Sequence, residues 1–308
     1  MMDKFDALMS TPNDLKAERV ARVSSGREVS RRIFLGKCGK WTGGILLTAG
    51  LGSLASCGTK DNSTGEQDRR ESDYYLEQKD ALLQQASSFS EELEEIMTPE
   101  YGREEAKAIA GDMVKRYDGM IGELPFIGGD KNAHMTDLLI HASTSMAFCL
   151  SMKEHRKSID DAGRINYDAI EKYYRENPLP PDQKYEKGNV EKKRREQEGY
   201  AKMTQKREYP YNWVSFFVGD VPEPYIYGVN NIECGNLKLC NHYGILEFTN
   251  YLCMLDNILY PARGQGLTRT KTLAGDFELC DFRFSDDGAV ELKEPFTVNK
   301  LREWGKVT

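Results

Sequence analysis

The sequence predicts an α+β fold, with a helical N-terminal half packed on a mixed, mainly antiparallel sheet in the C-terminal half. Three observations carry that expectation. Apolar residues recur at helical spacing through the region 74–176. Beyond Tyr209 the texture changes to short segments rich in Trp, Val, Phe, Tyr and Ile, which suit strands. The 308 residues are 39% apolar and 30% charged, a mix able to bury a core. A mean hydropathy of −0.62, with no apolar run of about 18 residues, excludes a polytopic membrane protein.

In chain order, Tyr75, Leu76, Leu82, Leu83, Phe89, Leu93, Ile96 and Met97 open the helical region 74–121. Within it, Thr98-Pro99-Glu100 predicts a new helix start, with Thr as N-cap and Pro at the first position. Gly128-Gly129 breaks the pattern. An apolar helix is expected over 132–154 and a short one over 166–176. Pro178, Pro180 and Pro181 mark 178–188 as a loop, and the charged run 189–207 reads as a solvated helix. Strands are expected at Asn212–Gly219 and Tyr225–Cys234, then a helix over 237–252. Leu267–Leu273 and Gly275–Phe284 read as two more strands, with Gly275-Asp276 as the turn between them.

Charge is unevenly distributed. Residues 1–56 hold nine Lys/Arg against five Asp/Glu, leaving 33 basic and 44 acidic residues for the rest. A body carrying a net charge of −11 is unsuited to neutralising phosphates, so nucleic acid is not an expected partner.

The front end reads as an address. Ser30-Arg31-Arg32-Ile33-Phe34-Leu35 resembles a twin-arginine export signal, followed by a weakly apolar, Gly-rich stretch from Trp41 to Ser56. Leu54-Ala55-Ser56-Cys57 resembles a bacterial lipobox, which implies lipidation of the Cys57 sulfur. The alternative is a chance match inside a cleavable signal or an uncleaved anchor. The expected organisation is an export signal over 1–57, a flexible polar linker over 58–72, and a single α+β domain over 73–308. The protein is thus expected in the cell envelope, its body outside the cytoplasm, with the lipid bilayer as partner through its anchor.

Five of the seven cysteines lie in the body: Cys149, Cys234, Cys240, Cys253 and Cys280. The odd number leaves at least one unpaired within the chain. Disulfides are the first expectation for an exported protein, and clustering of four between 234 and 280 leaves room for a reactive thiol. No CxxC pair is present, so spacing does not support a metal, and no cofactor is predicted.

Residues 228–284 carry a more specific pattern. Cys234 precedes a helix, Cys253-Met254-Leu255-Asp256 follows it, then come Arg269-Thr270-Lys271-Thr272, Gly275-Asp276 and Cys280-Asp281-Phe282-Arg283-Phe284. In that order these features resemble the L-2-amino-thiazoline-4-carboxylic acid hydrolase family. The resemblance implies a hydrolase that opens a small cyclic amidine or thiazoline ring at its C=N carbon. Such chemistry needs a nucleophile or activated water, a proton donor for the leaving ring atom, and a cation for the substrate carboxylate.

On that reading Cys253, Asp256 and Cys280 are the catalytic candidates, and Arg269, Thr272 and Asp276 the substrate-binding ones. Cys253 and Asp256, three apart, share a face on a helical turn. Arg269 suits a bidentate clamp for a carboxylate, against a structural ion pair with Asp276 or Asp281. Cys280 and Asp281 point to opposite faces of a strand. Cys280 is a reactive group or a core thiol, and Asp276 is a carboxylate in the site or a turn residue. His134 and His141 share a helix face, and His242 lies nearer the motif; each is a possible base or a structural histidine. Two rival functions remain: a non-catalytic small-molecule-binding lipoprotein, and a metal or redox protein built on the clustered cysteines.

Overall fold

The computed structural model describes residues 73–306. The expected export signal, the expected lipidation site Cys57 and the expected 58–72 linker lie outside the described residues. Within them the architecture is α+β. No helix among the described residues is long and apolar enough to cross a membrane.

The helical half consists of α1 (Lys79–Tyr101), α2 (Arg103–Ile121), α3 (Ala133–Glu154) and α4 (Ile159–Glu176). α1 and α2 form an antiparallel pair through Leu82, Phe89, Leu93 and Met97 on one side and Ile109, Met113 and Tyr117 on the other, all buried. Their junction is not at Thr98 as the sequence predicts. Pro99 lies inside α1, and the Thr98 hydroxyl donates back to the Glu94 carbonyl at 2.7 Å. The break falls at Gly102, whose φ of 80° no side-chain-bearing residue adopts readily. α4 begins seven residues before the expected 166, at a capping box. The Ser158 hydroxyl accepts from the Asp161 N–H at 3.0 Å, and the Asp161 carboxylate accepts from the Ser158 N–H.

The charged α5 (Val190–Thr204) leads to a five-stranded sheet of order β1-β2-β4-β3-β5. Its strands are β1 (Val214–Val218), β2 (Tyr227–Glu233), β3 (Gly266–Arg269), β4 (Cys280–Ser285) and β5 (Val290–Leu292). All pairings are antiparallel except β3 with β5. Tyr227, Val229, Leu267, Phe284 and Leu292 bury one face of the sheet. Between β2 and β3 run α6 (Gly235–His242), α7 (Phe248–Met254) and α8 (Asp256–Arg263), and α9 (Pro295–Glu303) ends the chain's regular structure. α6 and α7 contact α3, and α8 packs on β3 and β5, so these short helices join the helical half to the sheet.

Several boundaries differ from expectation for local reasons. The single helix expected over 237–252 is split by Gly244, at φ 65°. β3 stops at Arg269 because the Asp281 carboxylate accepts from the N–H groups of Thr270 (2.8 Å) and Lys271 (2.6 Å). A side chain thus takes the place of a neighbouring strand. The expected tight turn at Gly275-Asp276 is instead a longer connection, 270–279, containing a 3₁₀ turn at Leu273–Gly275. α8, β5 and α9 have no counterpart in the sequence reading.

The α4–α7 contact depends on one glycine. A Cβ built on Gly163 would stand 2.2 Å from a ring carbon of Tyr251. Tyr251 is held in turn by its hydroxyl donating to Asp160 (2.5 Å) and by stacking on Trp304. Gly111 in α2 has nothing within 4 Å of its Cβ position. We expect Gly163→Ala to lower stability by about 1–3 kcal/mol through overpacking. Gly111→Ala should raise it by about 0.5–1 kcal/mol through helix propensity. Urea denaturation of the two variants checks the opposite signs.

Candidate functional site

The site is organised around Arg269, the last residue of β3. Its side chain is 1% exposed. Three elements meet it. Nε donates to Glu294, at the start of α9, and Nη1 donates to Asp256, the first residue of α8. Nη2 donates at 3.0 Å to the carbonyl of Cys253, in the last turn of α7. The guanidinium also lies 5.2 Å from the centre of the Phe282 ring. Parallel pairing of β3 with β5 brings Glu294 there: Arg269 is in register with Leu292, and its carbonyl accepts from the Lys293 N–H at 2.8 Å.

Burial works against the Arg269 charge, but Asp256, with Glu294 beside it, more than offsets that, and its pKa is raised. Two carboxylates share this one guanidinium. Glu294 is 2% exposed and its second oxygen has no hydrogen-bond partner among the described residues. Asp256 is the more open of the pair, with its side chain 20% exposed. Burial raises its pKa, Arg269 pulls it down, and Glu294 pushes it up again. The net direction is upward, so this carboxyl holds a proton more readily than a surface aspartate.

Around this triad gather further enclosed side chains. His134, Cys253, Asp256 and Tyr260 are deeply enclosed by protein, yet each keeps part of its surface open to water. Cys253 stands within electrostatic reach of Arg269, Cys280, Cys234 and Asp256. Burial pushes its thiol well above the ordinary range, with Arg269 only partly opposing. Cys280 is pushed up to about 12, again by burial first, and its Sγ accepts from the Leu273 N–H at 3.2 Å. Cys234 caps the N-terminus of α6, where backbone N–H groups of Leu237 and Asn236 favour the thiolate, but burial outweighs them. All five body cysteines are free. Among the described residues, no three His, Cys, Asp or Glu side chains are grouped to hold a metal ion.

A second cation stands at the far end of α8. Arg263 ends α8 seven residues after Asp256, so the two lie on one helix face, with Tyr260 between them at i+4. Arg263 is 9% exposed, and its guanidinium lies 5.7 Å from the Tyr260 ring centre. Its electrostatic neighbours are Tyr260, Tyr174 and Asp256, and His134 feels its charge. Among the described residues no carboxylate lies within ion-pair distance of it, in contrast to Arg269.

The sequence candidates therefore separate. Cys253, Asp256 and Cys280 come together with Arg269. Arg269, expected as a carboxylate clamp, is the buried hub, each of its nitrogens already engaged by protein; the alternative of a structural ion pair is met, with Asp256 and Glu294 as partners in place of Asp276 or Asp281. Thr272 is 2% exposed and caps the 3₁₀ turn by accepting from the Gly275 N–H. Asp276 is exposed at the end of that turn, with φ 63°, and is a turn residue. His242 is exposed between Tyr211 and Tyr243. A separate open hollow beside α2 and α3 is lined by paired surface charges such as Lys115–Asp112 (2.8 Å) and holds none of these groups. Sequence reasoning missed Glu294, Tyr260 and Arg263. The i, i+4, i+7 spacing of Asp256, Tyr260 and Arg263 was available as a signal, masked by Pro261.

No family model, curated protein or solved structure matches this chain.

Two predictions follow from the charges. Arg269→Met leaves two carboxylates buried without their cation and should cost about 3–5 kcal/mol. Arg269→Lys should recover only part of that, since an ammonium cannot reproduce the planar three-way contact; denaturant midpoints read both. The second concerns acid. Burial depresses His134 to about 3 and His141 to about 4, from 6.5. The unfolded chain therefore takes up protons that the folded form refuses, and their contribution to stability is lost as pH falls from 6.5 towards 4. Asp137, raised to about 7 by burial and then by Asp130, acts in the opposite direction over that window. The double variant H134Q/H141Q should narrow the stability difference between pH 7 and pH 4.5, and D137N should widen it. Equal differences in all three proteins would refute the assignment.

Proposed function

We propose that Asp256, Arg269, Cys253 and the side chains gathered about them form a recess, the active site of a hydrolase that opens a small cyclic amidine of the 2-amino-thiazoline-4-carboxylate class. The observation that carries this reading is Asp256: a carboxyl of raised pKa, open to the recess and fixed by a buried guanidinium. Such a group can take a proton and return it.

In the reaction a water oxygen bonds to ring C2 while the C=N electrons move to the ring nitrogen. Asp256 accepts a proton from the water and delivers it to that nitrogen. Collapse of the tetrahedral carbon forms the C=O and breaks one ring bond. If C2–N breaks, both water protons end on nitrogen and an S-carbamoyl product results. If C2–S breaks, one ends on nitrogen and one on sulfur, giving the N-carbamoyl product.

The thiols fit this scheme as walls. A thiol attacks as its thiolate, and burial holds both Cys253 and Cys280 in the neutral form. Water is therefore the nucleophile, and Arg269 acts as a positioning residue for Asp256. The export signal and Cys57 anchor expected from the sequence would place this activity at a membrane surface outside the cytoplasm.

The test is ring opening of 2-amino-thiazoline-4-carboxylate, followed by mass spectrometry. The wild type should give product, Cys253→Ser should retain turnover within about tenfold, and Asp256→Asn should lose about 10²–10⁴-fold with its fold intact by circular dichroism. Turnover surviving in Asp256→Asn would remove Asp256 from the mechanism. Saturable binding with no product from the wild type would favour a binding protein instead.

A further inference from the structure

We propose that Arg263 is the anion clamp of the recess, binding a small carboxylate at the end of α8 opposite Asp256. This rests on the hydrolase reading only for the identity of the ligand; the anion site stands on its own geometry.

A guanidinium is charged at any pH the protein meets. Burying one without a partner is unfavourable, and buried arginines in folded proteins are normally paired. Arg269 shows the rule within the same site, with Glu294 and Asp256 on its nitrogens. Arg263, equally part of a helix packed on the sheet, is an exception among the described residues. Burial lowers its pKa, and its neighbours offer the guanidinium one aromatic face and no paired carboxylate.

The placement is not free to relax. The Arg263 carbonyl accepts from the Tyr185 N–H at 2.8 Å, and Gly264 follows in the left-handed conformation at φ 72°, ending the helix there. The Tyr260 ring lies against the guanidinium, its centre 5.7 Å from Arg263 Cζ. His134, on α3, faces the same charge and is kept neutral by burial, so it adds no competing positive charge and offers a neutral polar wall.

Charge counting makes the site selective. Asp256 and Glu294 exceed Arg269 by one negative charge, and Arg263 balances it from a distance. An incoming carboxylate is attracted by Arg263 and restores the excess of negative charge, which favours the protonated form of Asp256. Seven residues of helix separate the two groups by about 10 Å. A ligand with its anionic end on Arg263 thus directs its other end towards Asp256.

The test uses the full chain and a flat probe that resists ring opening, 2-amino-thiazole-4-carboxylate, beside its neutral 4-carboxamide. Titration calorimetry should give tighter binding of the carboxylate to the wild type, by about tenfold or more. Arg263→Gln should lose that preference, weakening the carboxylate about 10–100-fold with little change for the carboxamide. Arg263→Lys should keep part of it. Arg263→Gln should melt at or above the wild-type temperature, because an unpaired charge is removed from a largely buried position. A melting point lowered by several degrees with the preference intact would make Arg263 structural and overturn the proposal. So would a wild type that binds the two probes equally or binds neither. Preference for the carboxylate without any ring opening of the thiazoline would retain the clamp and reject the hydrolase.

Discussion

Arg269 is the point on which the C-terminal half is assembled. Its guanidinium ties the end of β3 to the start of α9, the start of α8 and the last turn of α7. None of these elements is long: β3 has four residues, α7 seven and α8 eight. Short elements have little cooperative stability of their own. A buried ion triad does not make such an assembly stable in itself, since replacing the whole set by well-packed apolar groups is often neutral or better. What it contributes is exclusion of alternatives. Any packing that separates Arg269 from Asp256 and Glu294 leaves a bare charge in the interior.

That constraint also sets the chemistry of the recess. Asp256 is tied to the buried hub yet opens to water, and the share of Arg269 taken by Glu294 leaves it short of positive charge. Enclosure of the same space raises the thiols and lowers the histidines, so the groups that ordinarily ionise near neutrality are neutral there. The polarity of the recess reduces to two cations and two carboxylates arranged along α8, at the end of β3 and at the start of α9. The proposed proton transfer by Asp256 and the proposed capture of an anion by Arg263 would both follow from this one distribution.

Much of the fold was legible in the residues. The helical spacing of the first half and the aromatic, β-branched texture after Tyr209 placed most helices and β1, β2 and β4 within a few residues. The misses around β3 and β5 share a cause: long-range contacts decided them. β5 has three residues and exists by pairing with β3. β3 ends where a carboxylate eleven residues further on takes its N–H groups. α8 contains Pro261, which local rules read as a stop. Of the candidate residues, Cys253, Asp256, Arg269 and Cys280 converge, while Thr272 and Asp276 serve the 3₁₀ turn instead. The role expected of Arg269 depended on knowing its burial and on Glu294, a residue brought to it by a parallel strand pairing that no local pattern announces.

The five unpaired thiols bear on how the protein meets oxidants. Disulfide exchange and oxidation to sulfenic acid both start from thiolate, and its supply falls tenfold for each pH unit that separates the medium from the thiol pKa. Cys149 and Cys280, each held up to about 12, have almost none at neutrality, and Cys253 is displaced in the same direction. The molecule is thus protected by a kinetic barrier where a cross-linked protein would rely on the bond itself. Its durability in an oxidising medium is tied to how rarely the interior opens.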